Sequence, residues 1–155
     1  MAESTAAAVQ TVNPGESVIF PVMQVPCRRG LIRHRGETGS FLLSGRPSVN
    51  VPCGCRCGCG PTLLEYPVAF GANIAIPTGG TVEAISLAIA VDGATIPASE
   101  MIVTPAAVEE FWNVSRETNA EIWLGWCESL TVRNTSAQPI LVQDANLVFG
   151  RPSFN

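Results

Sequence analysis

Val82-Glu83-Ala84-Ile85-Ser86-Leu87-Ala88-Ile89-Ala90-Val91-Asp92-Gly93 is the stretch that decides the fold. Ile85, Leu87, Ile89 and Val91 fall on one side of it, and Ala84, Ser86, Ala88 and Ala90 on the other. Alternation with a period of two belongs to a strand, not to a helix. Asp92-Gly93 then tolerates the positive φ angles of a tight hairpin turn. The bulky side can face a core. The other side carries such small groups that something is expected to pack close against it.

The same grammar extends in both directions. Twelve prolines and fourteen glycines punctuate short apolar runs along the chain, as they do between short strands. Asn13-Pro14-Gly15 reads as a turn, with Ser17 to Phe20 a strand behind it. Leu31 to His34 and Ser40 to Leu43 read as a pair joined by Gly36-Glu37-Thr38-Gly39. Leu63 to Phe70 and Asn73 to Ile76 follow. Glu121 to Cys127 alternates, with Ile122, Leu124 and Trp126 on one face and Trp123, Gly125 and Cys127 on the other. Leu130 to Val132 continues to the turn Asn134-Thr135-Ser136, and Ile140 to Phe149 is the last strand. Thr104-Pro105 followed by Glu109-Glu110 has the cap and early acids of one helical turn. Eight to ten short antiparallel strands imply an all-β sandwich of the jelly-roll kind.

A chain of 155 residues fits one domain. The expected division is an N-terminal arm over 1–14, a single domain over 15–150 with a Cys/Gly-rich loop at 52–61, and a C-terminal tail over 151–155. Hydrophobic residues make up 46% and charged residues only 14%, against about a quarter charged in ordinary domains. Such a chain cannot cover itself with charge, so part of its surface is expected to be buried against partners. The net charge is −4 and all nine basic residues are arginines. That excludes a generally basic nucleic-acid-binding face. No stretch approaches the roughly 20 apolar residues of a membrane span, and Met1 to Gln10 lacks the pattern of a signal peptide.

Cys53-Gly54-Cys55-Arg56-Cys57-Gly58-Cys59 is the most conspicuous chemical motif, with Cys27 and Cys127 elsewhere. Extended backbone puts its four thiols on one side. Three readings compete for it. The thiols are free on a loop, or they form disulfides among themselves, with Cys27 or with a neighbouring copy. Alternatively Cys53, Cys55, Cys57 and Cys59 hold a soft metal such as zinc, although structural zinc knuckles favour Cys-x2-Cys. No cofactor is otherwise implied. Cys127, alternating with apolar residues, is expected to be a small buried hydrophobe. His34 is the sole histidine, and no Gly-x-Ser-x-Gly elbow accompanies it, so no catalytic residue is assigned and the protein is expected not to be an enzyme. Arg28, Arg29, Arg33, Arg35 and Arg46 cluster in the first third. They form either a docking edge for an acidic partner or a solvated strand face. Asn113-Val114-Ser115 and Asn134-Thr135-Ser136 match the glycosylation pattern by chance.

Three stretches resemble a known family. They are Ser86 to Pro97 (a strand, an Asp-Gly turn and an Ile-Pro return), Leu130-Thr131-Val132-Arg133-Asn134-Thr135-Ser136, and Ala145-Asn146-Leu147-Val148-Phe149. Together they resemble the jelly roll of tumour necrosis factor, the C1q globular head and the C-terminal domain of bacterial and phage collagen-like surface proteins. The likeness spans roughly residues 80–150 and lacks the collagen stalk. The chain also resembles small proteins encoded beside phage virion genes. The resemblance implies a homotrimer, with Ala84, Ala88, Ala90, Trp112, Trp123 and Trp126 at its subunit interface. It implies a structural role on a virion surface, as a capsid decoration or cement unit bound to a capsid or surface-lattice protein, with no nucleic acid and no membrane. A trimeric head recognising host glycan or protein is a second expectation. An extracellular or spore-surface layer protein cross-linked through its cysteines is a third.

Overall fold

A computed structural model describes residues 1–25, 31–35, 38–45 and 63–154. Among these the strands are β1 (Ala2–Ala6), β2 (Gln10–Val12), β3 (Val22–Val25), β4 (Ile32–His34), β5 (Phe41–Ser44), β6 (Leu63–Ala75) and β7 (Ile85–Val91). They continue with β8 (Ala94–Thr95), β9 (Met101–Val103), β10 (Trp112–Trp123), β11 (Cys127–Asn134), β12 (Ile140–Phe149) and β13 (Ser153–Phe154). All pairings are antiparallel. One sheet runs β10-β6-β12-β1-β3, with β13 beside β6 and β2 beside β12. The other runs β4-β5-β11-β7-β8, with β9 also on β7. The protein is therefore an all-β sandwich, as its alternation and turn chemistry predict.

The inner faces meet in one core. Tyr66, Phe70 and Ile74 of β6 and Leu147 and Phe149 of β12 face Phe41, Leu43, Leu87, Ile89 and Val132 of the second sheet. Phe41 packs 5.6 Å from Phe20 and 5.2 Å from Phe149, ring centre to ring centre. The Tyr66 hydroxyl crosses between the sheets and donates to the Ser44 carbonyl at 2.6 Å. In β12 the apolar phase slips by one residue. Ile140 and Val142 are buried, then Ala145, Leu147 and Phe149. The register breaks between Gln143 and Asn146, and Asp144 takes a φ of 51°. This bulge absorbs the extra residue and keeps both halves of the strand facing the core.

Several expectations are corrected. Residues 1–14 are not an arm: β1 lies between β12 and β3, and Ala2, Ser4 and Ala6 are buried. Backbone pairing to both neighbours holds it there, and its small side chains Ala2, Ser4 and Ala6 face inward. Nor do residues 151–154 stand off as a tail, because Ser153 and Phe154 pair with Glu65 and Leu64. Ser17 to Phe20 is extended but joins a ladder only at the isolated Ser17–Arg133 bridge. Leu63 to Ile76 is one long strand up to Ala75, not two. Thr104 to Glu110 forms no helix. The Glu110 carboxylate instead accepts the N–H groups of Ala106 and Ala107 at 3.0 and 3.1 Å and the Trp112 indole N–H at 3.1 Å. Among the described residues the sole helical segment is a 3-10 turn over Pro97–Ser99.

The small side of β7 is also resolved. Ala88 and Ala90 are 2% and 0% exposed within the single chain, so they do not await a sister subunit. Arg133 of β11 is paired with Ala88. Its guanidinium reaches two loop carbonyls, donating to Gly15 at 3.0 and 2.6 Å and to Gly93 at 2.9 Å. The arginine stem is thus laid along the alanine side, a use of its apolar length as much as of its charge. Ala84 precedes β7 and is exposed.

Candidate assembly surfaces

The long strand β10 carries exposed tryptophans at both ends. Trp112 lies opposite Ile74 and Trp123 opposite Leu63. Eleven strand steps between them span about 37 Å. The aromatic residues expected at one interface therefore occupy opposite ends of the sandwich.

At the Trp123 end, the predicted continuous strand over Glu121 to Cys127 is in fact a tight corner by which the chain passes from the first sheet to the second. Gly125 turns the chain with a φ of +90°, a conformation that favours glycine. Gly45 pins this corner: its N–H donates to the Trp126 carbonyl at 2.6 Å, and its carbonyl accepts the Gly125 N–H at 2.9 Å. A Cβ on Gly45 would fall 2.3 Å from the Trp123 carbonyl oxygen, so the approach itself requires glycine. The turn presents Trp123, Leu124 and Trp126 at 45%, 42% and 68% exposure. Cys127 is also exposed, not the buried hydrophobe expected, and its thiol stands 4.0 Å from the Ser44 hydroxyl. Next to it, burial and then the charge of Asp92 hold the Glu128 carboxyl above the usual carboxylate range, partly offset by the Trp123 backbone N–H.

The opposite end has a second apolar group. Trp112, at 46%, follows exposed Phe111, and Val108 in the preceding loop is exposed too. Its indole is fixed by Glu110, as described above.

The outward side of the first sheet was not singled out from sequence. Along β10 it carries Asn113, Ser115, Glu117, Asn119, Glu121 and finally Trp123. Across the ladder these oppose Asn73, Gly71, Ala69, Pro67, Glu65 and Leu63 of β6. Asn146 and Val148 of β12 and Glu3 of β1 extend the rows. The Asn113 amide donates to the Asn73 side chain at 3.1 Å, and the Asn146 amide to Glu3 at 3.1 Å. A shallow groove of about 470 Å³ runs over Pro67 and Ala69, between Glu117 and Asn119 on one side and Val148 and Gly150 on the other. No arginine stands among these outward positions. The signal was present as polar residues at every second place from 113 to 121, a pattern with too few apolar partners to mark a strand.

Of the arginine edge, Arg33 and Arg35 are exposed along β4 and just beyond it, and among the described residues β4 is a terminal strand of its sheet. Arg28, Arg29 and Arg46 lie outside the described residues, as do Cys27, Cys53, Cys55, Cys57 and Cys59. Among the described residues no three Cys, His, Asp or Glu side chains converge as a metal-holding group. His34 turns inward and stacks on Phe41 at 4.5 Å, and its Nε2 meets the Thr38 carbonyl at 2.8 Å. Asn134 is buried, with its amide donating to the carbonyls of Val12 and Gln138, so it is no glycosylation site in the folded chain.

No family model matches the sequence, and no curated protein matches it. Solved structures do match. The globular domain of zebrafish complement 1qA superposes with a TM-score of 0.53 at 8% identity, covering 95% of this chain and 94% of that one. The sugar-binding C-terminal domain of EclA is 18% identical, with a TM-score of 0.35, covering 79% of this chain and 86% of its own. The xylan-binding CBM22-1 domain of Paenibacillus barcinonensis Xyn10C is 13% identical, with a TM-score of 0.34, covering 95% and 85%. The two-sheet topology and the C1q superposition together identify the fold as a tumour necrosis factor/C1q-like jelly roll.

Proposed function

We propose that this protein is a non-enzymatic structural unit that assembles as a homotrimer on the surface of a phage virion, decorating or cementing the capsid. The observation that carries this reading is the exposed turn of Trp123, Leu124 and Trp126, with Phe111 and Trp112 at the far end. Large apolar groups grouped in this way mark contact surfaces. The low charge supports the same reading, since a mostly neutral surface loses little solvation when it is covered. The partners are other copies of the chain and an underlying capsid or surface-lattice protein. Holding is by mass action over many weak contacts.

Light scattering over a concentration series tests the first half. A threefold mass should appear as concentration rises, and a chain that stays monomeric throughout sinks the reading. Rebinding to virions stripped of their surface proteins tests the second half, with saturation at a fixed number of copies per particle as the expected result. A recognition head is the second reading, favoured by two tryptophans on one tight turn, since flat aromatic faces suit sugar rings. Specific binding on a glycan array, lost on Trp126→Ala, would select it.

A further inference from the structure

We propose that self-assembly through the Trp123–Trp126 turn is proton-linked: covering the turn makes Glu128 take up a proton, so copies hold one another more tightly in mildly acidic solution than at neutral pH. The inference rests on the self-assembly reading above and adds the condition that regulates it. Its starting point is an acid on the wrong side of a strand. Along β11, Leu130, Val132 and Asn134 are buried, and the same alternation puts Glu128 on their side. It stands where the sandwich ends, half-buried, opposite Leu43 of β5.

The surroundings of this carboxyl tie it to the turn. From β10 it accepts the Trp123 backbone N–H, and the Trp123 carbonyl in turn accepts the Trp126 N–H at 3.0 Å. From the β7–β8 turn it faces Asp92. Asp92 is locked in place: its backbone N–H donates to the Ser129 carbonyl at 2.8 Å, and its Oδ1 accepts the Ser129 N–H at 2.7 Å and hydroxyl at 3.0 Å. β5 contributes Leu43 and Ser44, which are uncharged. Tyr66 of β6 arrives as a hydroxyl on the Ser44 carbonyl, and Cys127 is the titratable neighbour on the same strand. Among the described residues, therefore, the charge that faces Glu128 is negative and no cation offsets it.

The sign of the linkage follows. In the single chain, burial and then Asp92 already favour the protonated carboxyl. A partner laid over Trp123, Leu124 and Trp126 removes water from the same corner, and desolvation disfavours the charged form further. The proton is then held more tightly in the assembled copy than in the free one. Coupling is reciprocal, so a proton that assembly favours also favours assembly. Association is strongest below the free copy's value for Glu128. It weakens as pH rises from there through the higher assembled value, and is level beyond.

The test compares the full chain with Glu128→Gln, which keeps an acceptor for the Trp123 N–H and cannot ionise. In light scattering, the concentration at which wild type assembles should rise about threefold or more between about pH 4.5 and pH 7, within a ceiling of about tenfold per pH unit for each proton. Glu128→Gln should match wild type at the acid end and assemble at lower concentration at neutral pH. The other acids titrate alike in both proteins, so the difference between the two profiles isolates Glu128. Dilution calorimetry inside the window, in two buffers of different protonation heat, should show wild type releasing more protons on dissociation than the variant. Asp92→Asn keeps the Oδ1 acceptor for Ser129 and should move the wild-type drop to lower pH; a drop that stays in place counts against Glu128 as the group. If wild type assembles and its profile and proton release match those of Glu128→Gln, the linkage is wrong while self-assembly stands. If wild type stays monomeric at every pH, the self-assembly reading falls and takes the linkage with it.

Discussion

Ser99 has no exposed surface, and its hydroxyl serves the middle of the central strand. It accepts the Ile89 N–H at 2.9 Å and lies within donating distance of the Ile96 carbonyl at 2.7 Å and the Ile89 carbonyl at 3.2 Å. Ser99→Ala removes the acceptor and leaves the Ile89 N–H buried without a partner. Such an orphan costs about 1–3 kcal/mol, and urea unfolding should show it as a lower midpoint at unchanged slope. Glu128 makes a pH argument at the same scale. Its carboxyl is raised by burial and by Asp92. Above the ordinary carboxylate value the unfolded chain has lost this proton while the folded chain still holds it. Stability therefore falls as pH rises from that value through the raised one. Glu128→Gln keeps an acceptor for the Trp123 N–H and cannot ionise. Its melting temperature should match wild type at the acid side of this window and exceed it at neutral pH. Two melting curves that stay parallel from pH 4 to 8 would defeat the assignment.

Among elements, the β10–β11 corner is the one most tightly conditioned by a single distant residue. Gly45→Ala puts a methyl into the Trp123 carbonyl, and either the corner or the end of β5 has to move. Overpacking of this kind costs about 1–3 kcal/mol. Limited proteolysis should then cut first near Leu124–Gly125. That corner also shows where sequence reading ended. The β7 hairpin was legible because its alternation and its Asp-Gly turn agree, and β12 was legible despite its bulge because both halves are strongly apolar. The corner at Gly125 was not: the apolar alternation runs straight through it, and the reason to turn is a backbone contact to a residue eighty positions earlier. Most of β10 was missed for the opposite reason. Among the described residues it is an end strand, and its inward places include Arg116 and Thr118, leaving Val114, Ala120 and Ile122 as its buried anchors. β1 passed for an arm because alanine and serine carry little hydrophobic signal, while its place between β12 and β3 comes from backbone pairing that side-chain type does not announce. The tryptophans were expected together at one subunit interface; that they are exposed and stand at two ends of β10 follows from register, which the sequence does not show.

For the molecule as a whole, the decisive question is which end of the sandwich holds the copies together. Trp112 and Trp123 stand about 37 Å apart along β10, so one contact patch around a three-fold axis cannot contain both unless it runs the full length of the strand. The Trp123 end has the stronger claim. It offers three large apolar residues on one turn, whereas the Trp112 indole N–H is already held by Glu110. A double replacement, Trp123→Ser with Trp126→Ser, removes the apolar anchors without touching the core. Monomer stability in urea should change by less than about 0.5 kcal/mol, as for ordinary surface positions. Assembly should weaken at least tenfold, because buried aromatic anchors commonly carry 2 kcal/mol or more of an interface. Trp112→Ser should leave assembly near wild type. In the unaltered protein tryptophan emission should shift to shorter wavelength as copies associate, and the double variant should lose most of that shift. The reverse ranking, with Trp112→Ser the disruptive change, would move the axis to the other end of the sandwich.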